Sequence, residues 1–170
     1  VLEAVIVLLR QGNHGIVSFN IHPDDLKAFM RAPWNMTASD GCYPVWGFGA
    51  PHPRAFGSFP RKIRRYVGDQ QVVTLPDAIR SMTSLPAQVY RVPERGFLKP
   101  GFVADIVLFD LTRIRDKATF EAPWQLSEGI VHVVIGGKIA LQDESVLAHK
   151  RGQTLSPATP SQNPSESTSL

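Results

Sequence analysis

A chain of 170 residues with 43% hydrophobic content can bury a core, and its charged fraction of 19% lies below the usual quarter. The net charge of +3 is small, and much of it sits in Arg61, Lys62, Arg64 and Arg65, too narrow a footprint for nucleic-acid binding. No apolar run approaches the roughly 18 residues that span a membrane, and the single cysteine, Cys42, excludes an internal disulfide and any CxxC-type zinc site.

The chain begins at Val1 inside a helical pattern, with Val1, Val5, Leu8 and Leu9 as an apolar stripe, which reads as a piece of something longer. That helix, 1–11, ends at Gly12. Gly15 to Phe19 form a short β-like run, and Asn20 is positioned to cap a helix over 23–31. Pro23 lies in its first turn, Asp24 and Asp25 complement the helix dipole, and Leu26, Phe29 and Met30 form its buried face. A β-like run from Trp34 to Ala38 follows and delivers Asp40 to its C-terminal end, where Gly41 lets the backbone turn. Helix–strand–helix–strand is the α/β repeat of a parallel sheet or barrel, and carboxylates at C-terminal strand ends are where α/β barrels keep their chemistry.

Residues 41–57 are rich in Gly and Pro and carry Tyr43, Trp46, Phe48 and Phe56. So long a loop with aromatics reads as functional rather than disordered. An amphipathic helix over 58–68 sets Arg61, Lys62, Arg64 and Arg65 on a solvated face against Phe59, Ile63, Tyr66 and Val67. Thr74 caps the next helix, Pro76 to about Met82, with Ala78, Ile79 and Met82 inward, and a short helix follows Pro86. From Gly96 the character changes: Ala104 to Asp110 is a β-branched strand, and Gly129–Ile135 and Lys138–Gln142 flank a Gly136-Gly137 hairpin turn. Three regions result: an α/β part over 1–88, a β-rich part over 89–150, and a polar tail over 151–170 expected to be disordered.

Several segments together resemble one family. They are Phe19-Asn20, Met36-Thr37-Ala38-Ser39-Asp40-Gly41, His52-Pro53-Arg54, Gly57-Ser58-Phe59-Pro60-Arg61, Ala78 to Ala87, and Gly96 to Asp105. Over about residues 1–150 the chain is similar to the C-terminal part of amidohydrolase-superfamily N-acyl-D-amino-acid deacylases, the D-aminoacylases. The resemblance implies the last strands and helices of a metal-dependent (β/α)₈ barrel, then strands of a small β-sandwich domain. It implies that Asp40 takes a proton from a metal-bound water and returns it to the leaving amine, and that Asp40 is a weak or second-metal contact. A carboxylate in that role contributes about 10²–10⁴-fold, and zinc, the implied cofactor of the complete enzyme, lowers the pKa of bound water to about 7. Arg54 matches the residue that clamps the substrate's carboxylate, a task suited to a planar guanidinium.

His52 is read chiefly as a hydrogen-bonded structural histidine, with pocket lining and loop orientation as the alternatives. The family's main zinc ligands, a cysteine and histidines on earlier strands, have no counterpart: His14, His22, His132, His149 and Cys42 do not match them. The expected partner is therefore a small-molecule N-acyl-D-amino acid, with no nucleic acid, no membrane and a missing N-terminal barrel portion. The chain alone is expected to be inactive. The compartment stays open, the cytoplasm being favoured. Alternatives are a cyclic-amide hydrolase of the dihydroorotase or hydantoinase type, against which Gly41-Cys42-Tyr43 speaks, and a non-catalytic interaction remnant.

Overall fold

The computed structural model describes residues 2–12, 17–147 and 152–157. Expectations resting on Val1, His14, His149 and most of the 151–170 tail lie outside the described residues, and 152–157 carry no regular structure. Helix α1 spans Leu2–Gln11, and every one of its side chains is exposed. Helix α2, Pro23–Arg31, starts with a different cap from the one expected. Asn20 lies too far upstream, and His22 Nδ1 accepts from the Asp24 N–H at 3.2 Å. The α2 apolar face is not buried either: Leu26 and Met30 are half-covered, and Phe29 is exposed, because no described element packs over them.

Of the two expected strands of the α/β part, Gly15–Phe19 lies partly outside the described residues, and 34–38 is not in a ladder. Val17 to Asn20 and Asn35 to Asp40 carry no ladder, and Trp34 lies in a turn. A parallel strand needs a hydrogen-bonded neighbour to exist as a strand. Among the described residues neither segment has one, so the apolar run at 34–38 stays an unpaired segment.

Helix α3, Arg54–Arg61, runs directly into a π-helix, Lys62–Asp69. Pro60 explains part of this irregularity. It has no N–H for the Phe56 carbonyl, and that oxygen instead accepts from Ser127 Oγ at 2.7 Å. The wider winding, closed by the Gln70 N–H on Arg65 O at 2.8 Å, changes which side chains point inward. Lys62 was expected on the solvated face with Arg61, Arg64 and Arg65. It is only 4% exposed, while Phe59, expected inside, is exposed. Helix α4, Leu75–Met82, is capped as expected, with Thr74 Oγ1 accepting from the Asp77 N–H at 3.2 Å. Helix α5, Ser84–Val89, follows immediately.

The β-rich part is one antiparallel meander of β1 (Ile106–Phe109), β2 (Ile130–Ile135), β3 (Lys138–Gln142) and β4 (Ser145–Val146). Gly136 and Gly137, both at positive φ (56° and 77°), make the expected hairpin turn between β2 and β3. Asp105 ties that turn to the segment before β1: Oδ2 accepts from Arg95 Nε at 2.9 Å, and Oδ1 accepts from the Gly136 N–H at 2.7 Å. Among the described residues the buried apolar side chains are few: Ile63, Tyr66, Val72, Ala78, Leu85, Ile114 and Ala118, most of them on or next to the π-helix, α4 and α5.

Candidate functional site

Asp40 sits at the end of the 34–40 segment with φ at 48°, a left-handed conformation unusual for a residue with a Cβ. The freedom assigned to Gly41 in the sequence is thus used one residue earlier. Gly41 is needed for another reason: a Cβ there would meet Ala55 Cα at 2.8 Å, so glycine lets the start of α3 close on the Asp40 segment. That closure brings the two charged candidates together. Arg54 Nη2 lies 3.0 Å from Asp40 Oδ2, with side chains 42% and 84% exposed respectively. An ion pair this exposed is worth about 0–1 kcal/mol, so a charged ligand can displace either partner at little cost.

His52 completes the turn into α3. Its Nδ1 accepts from the Arg54 N–H at 3.0 Å, and its ring stands edge-on to Phe120 with centroids 4.9 Å apart. Burial and then the Arg54 charge push its pKa down, with Asp40 opposing. The ring is therefore neutral at neutral pH, as an accepting Nδ1 requires. His52 is half-buried and orients the loop while lining the groove, so it is less enclosed than a core histidine. Gly41, Cys42, Pro44, Phe48, His52 and Arg54 border a groove of about 350 Å³. Larger hollows of about 660 and 540 Å³ lie away from Asp40, the first among α2, the π-helix and α4, the second between helices and sheet.

The long aromatic loop is held from the β-rich side. Trp124 Nε1 donates to Gly49 O at 3.3 Å, and its ring meets Trp46 and Phe56 at 5.4 and 5.8 Å. Sequence reading missed this partner, and it also missed Lys62, Ser81 and Thr37, which form a polar cluster behind the Asp40 segment. Lys62 Nζ donates to Thr37 Oγ1 at 2.8 Å and to Ser81 Oγ at 2.9 Å. Burial holds the Lys62 pKa below the ordinary lysine range. The available signal was Pro60, which breaks the helical register on which the solvated-face reading depended.

The model of the amidohydrolase family matches residues 6–141, most of the chain. This chain belongs to that family. The N-acyl-D-aspartate deacylase of Alcaligenes xylosoxydans xylosoxydans is 36% identical over 156 residues, covering 92% of this chain and 31% of the relative. A crystal structure of D-aminoacylase, described as defining a novel subset of amidohydrolases, superposes with a TM-score of 0.74 at 33% identity over 80% of this chain and 28% of its own. N-acyl-D-glutamate deacylase from Bordetella bronchiseptica, solved with zinc and a phosphonate mimic of the tetrahedral intermediate, gives a TM-score of 0.66 at 39% identity, over 71% of this chain and 25% of its own. A Bacillus cereus dihydroorotase is more distant, 28% identical over 159 residues, covering 85% of this chain and 33% of the relative. This amidohydrolase chain thus spans about 30% of the length of the deacylases it matches.

The side chains present do not make a zinc centre by themselves. Among the described residues no three of His, Cys, Asp and Glu come close enough to hold a metal ion. Asp40 has Arg54 as its partner, and His52 has spent Nδ1 on the backbone.

Proposed function

We propose that this chain supplies the C-terminal part of an enzyme that hydrolyses the amide bond of N-acyl-D-amino acids. The Asp40–Arg54 pair, whose arginine borders the groove, supports the reading. Amide hydrolysis needs a base for the attacking water and an acid for the poor leaving group, and one carboxylate serves both in turn. Asp40 takes the proton from water and gives it to the departing amine. Arg54 leaves Asp40 and grips the carboxylate of the amino-acid half with two parallel N–H donors, which fixes the scissile bond over Asp40. His52 holds the Arg54 backbone and is not itself a proton carrier in this scheme.

The Asn35–Asp40 segment corresponds in this reading to the last strand of the (β/α)₈ barrel, and the meander to returning strands of the small sandwich. The remaining barrel strands supply the zinc ligands and the pairing partners. Deacylation is favoured over cyclic-amide hydrolysis because identity to the deacylases is higher than to dihydroorotase.

A chimera tests this: the chain replaces the matching C-terminal third of the N-acyl-D-aspartate deacylase and is assayed with N-acyl-D-amino acids and cyclic ureides. Zinc-dependent release of D-amino acid is expected, with no activity from the 170-residue chain alone. Hydrolysis of the ureides only, or deacylation by the isolated chain with zinc, would contradict the proposal.

A further inference from the structure

The segment that carries Asp40 has few attachments. Asn35 to Asp40 form no ladder, and the Asn35 N–H bonds only locally, to Ala32 O at 3.0 Å. Two contacts reach α4 directly: the Thr37 N–H donates to Ser81 O at 2.9 Å, and Arg80 Nη1 donates to Pro33 O at 2.8 Å. The remaining inward attachment is the cluster around Lys62, and its proton directions follow from chemistry. An ammonium only donates, so both Thr37 Oγ1 and Ser81 Oγ accept from Lys62 Nζ. Ser81 spends its own proton on Ala78 O at 2.6 Å, which leaves Thr37 to donate to Ser81 across 3.0 Å.

Every hydroxyl is satisfied, yet Lys62 has no carboxylate partner among the described residues. Burying an ammonium that way is costly, and an apolar side chain of the same length would fill the space without that cost. What the lysine adds is direction: two hydrogen bonds from the π-helix, one to α4 and one to the Asp40 segment.

We propose that Lys62 is a positioning residue that joins Thr37 to Ser81 and so fixes Asp40, three residues beyond Thr37, opposite Arg54. The π-helix is what turns Lys62 inward to do this. The functional value of the tether rests on Asp40 as the proton carrier, but the tether itself is measured without any catalysis.

The test is NMR on the 170-residue chain, comparing wild type with Lys62→Met, Thr37→Val and the double variant. Expected in both single variants is faster exchange of the amide at position 37, by about tenfold or more once corrected for the residue's intrinsic rate. Backbone order parameters at Met36 to Asp40 fall below about 0.6 while those of α4 stay near 0.85. The Asp40 carboxyl carbon resonance shifts, and the double variant loosens the segment no further than either single one. Thr37→Val removes one hydroxyl at matched shape and leaves Lys62 in place, so it decides the matter if Lys62→Met fails to fold. Unchanged order at Met36 to Asp40 in Thr37→Val, or a loosening spread evenly over α3 to α5, overturns the proposal. Loss of deacylation in an Asp40 variant bears on the catalytic reading alone.

Discussion

His52 sets the backbone geometry at the start of α3. Its Nδ1 does what an Asn or Asp side chain does in an Asx turn, accepting the N–H two residues on, that of Arg54, whose guanidinium meets Asp40. Replacing it with Ala should cost about 0.5–1.5 kcal/mol, and His52→Asn, which keeps an acceptor for that turn bond, should recover most of it. The pH dependence has a definite sign. The folded pKa is depressed, chiefly by burial and then by Arg54, so below the unfolded value of 6.5 the unfolded chain binds more protons. Stability from this residue is therefore present above 6.5 and lost as pH falls toward the lower folded value. Urea midpoints followed downward from neutral pH should show that loss in wild type and a smaller loss in His52→Asn.

At the scale of elements, the junction of α3 and the π-helix decides the site's architecture. Pro60 frees the Phe56 carbonyl, and Ser127, from the loop before β2, takes it up at 2.7 Å. Ser127→Ala should then cost about 1–3 kcal/mol, because a partly buried carbonyl loses its donor. Gly41→Ala should be similarly damaging, since its Cβ would meet backbone at Ala55 rather than a side chain that can swing away. Equilibrium unfolding of both variants checks this pair.

Local signals were legible at this scale. The Thr74 cap, the Gly136-Gly137 hairpin and the helices at 23–31 and 75–82 are set by neighbouring residues, and they fold where the sequence places them. The run at 34–38 carries no ladder among the described residues because strand character resides in a partner, which no apolar run contains. Lys62 was misread because helical periodicity assumes one winding, and the π-helix has another. Of the candidate site, Asp40, Arg54 and His52 were all visible by residue type, and the structure brings the three together. The cluster behind them was not visible, since Thr37, Lys62 and Ser81 are distant in sequence and individually ordinary.

The whole molecule shows a mismatch between its apolar content and its small core. Leu2, Val5, Leu8 and Leu9 of α1 are exposed, as are Ile106, Val107 and Leu108 of β1. A hollow of about 540 Å³ lined by Phe59, Ile63, Met82, Val107 and Leu141 separates helices from sheet. Under the proposed function, apolar surface on this scale belongs to faces that pack against the rest of the barrel. An unpaired Asp40 segment and the absence of a metal-holding cluster among the described residues agree with that. All three observations accord with a chain that spans about 30% of its deacylase relatives.

In the proposed reaction Asp40 moves the proton while Arg54 holds the carboxylate, and steady-state kinetics of the deacylase chimera separate the two roles. Asp40→Asn should lower kcat by about 10²–10⁴-fold with little change in KM. Arg54→Lys should raise KM chiefly, since an ammonium cannot reproduce the bidentate grip. An Asp40→Asn chimera that keeps wild-type kcat would contradict the account.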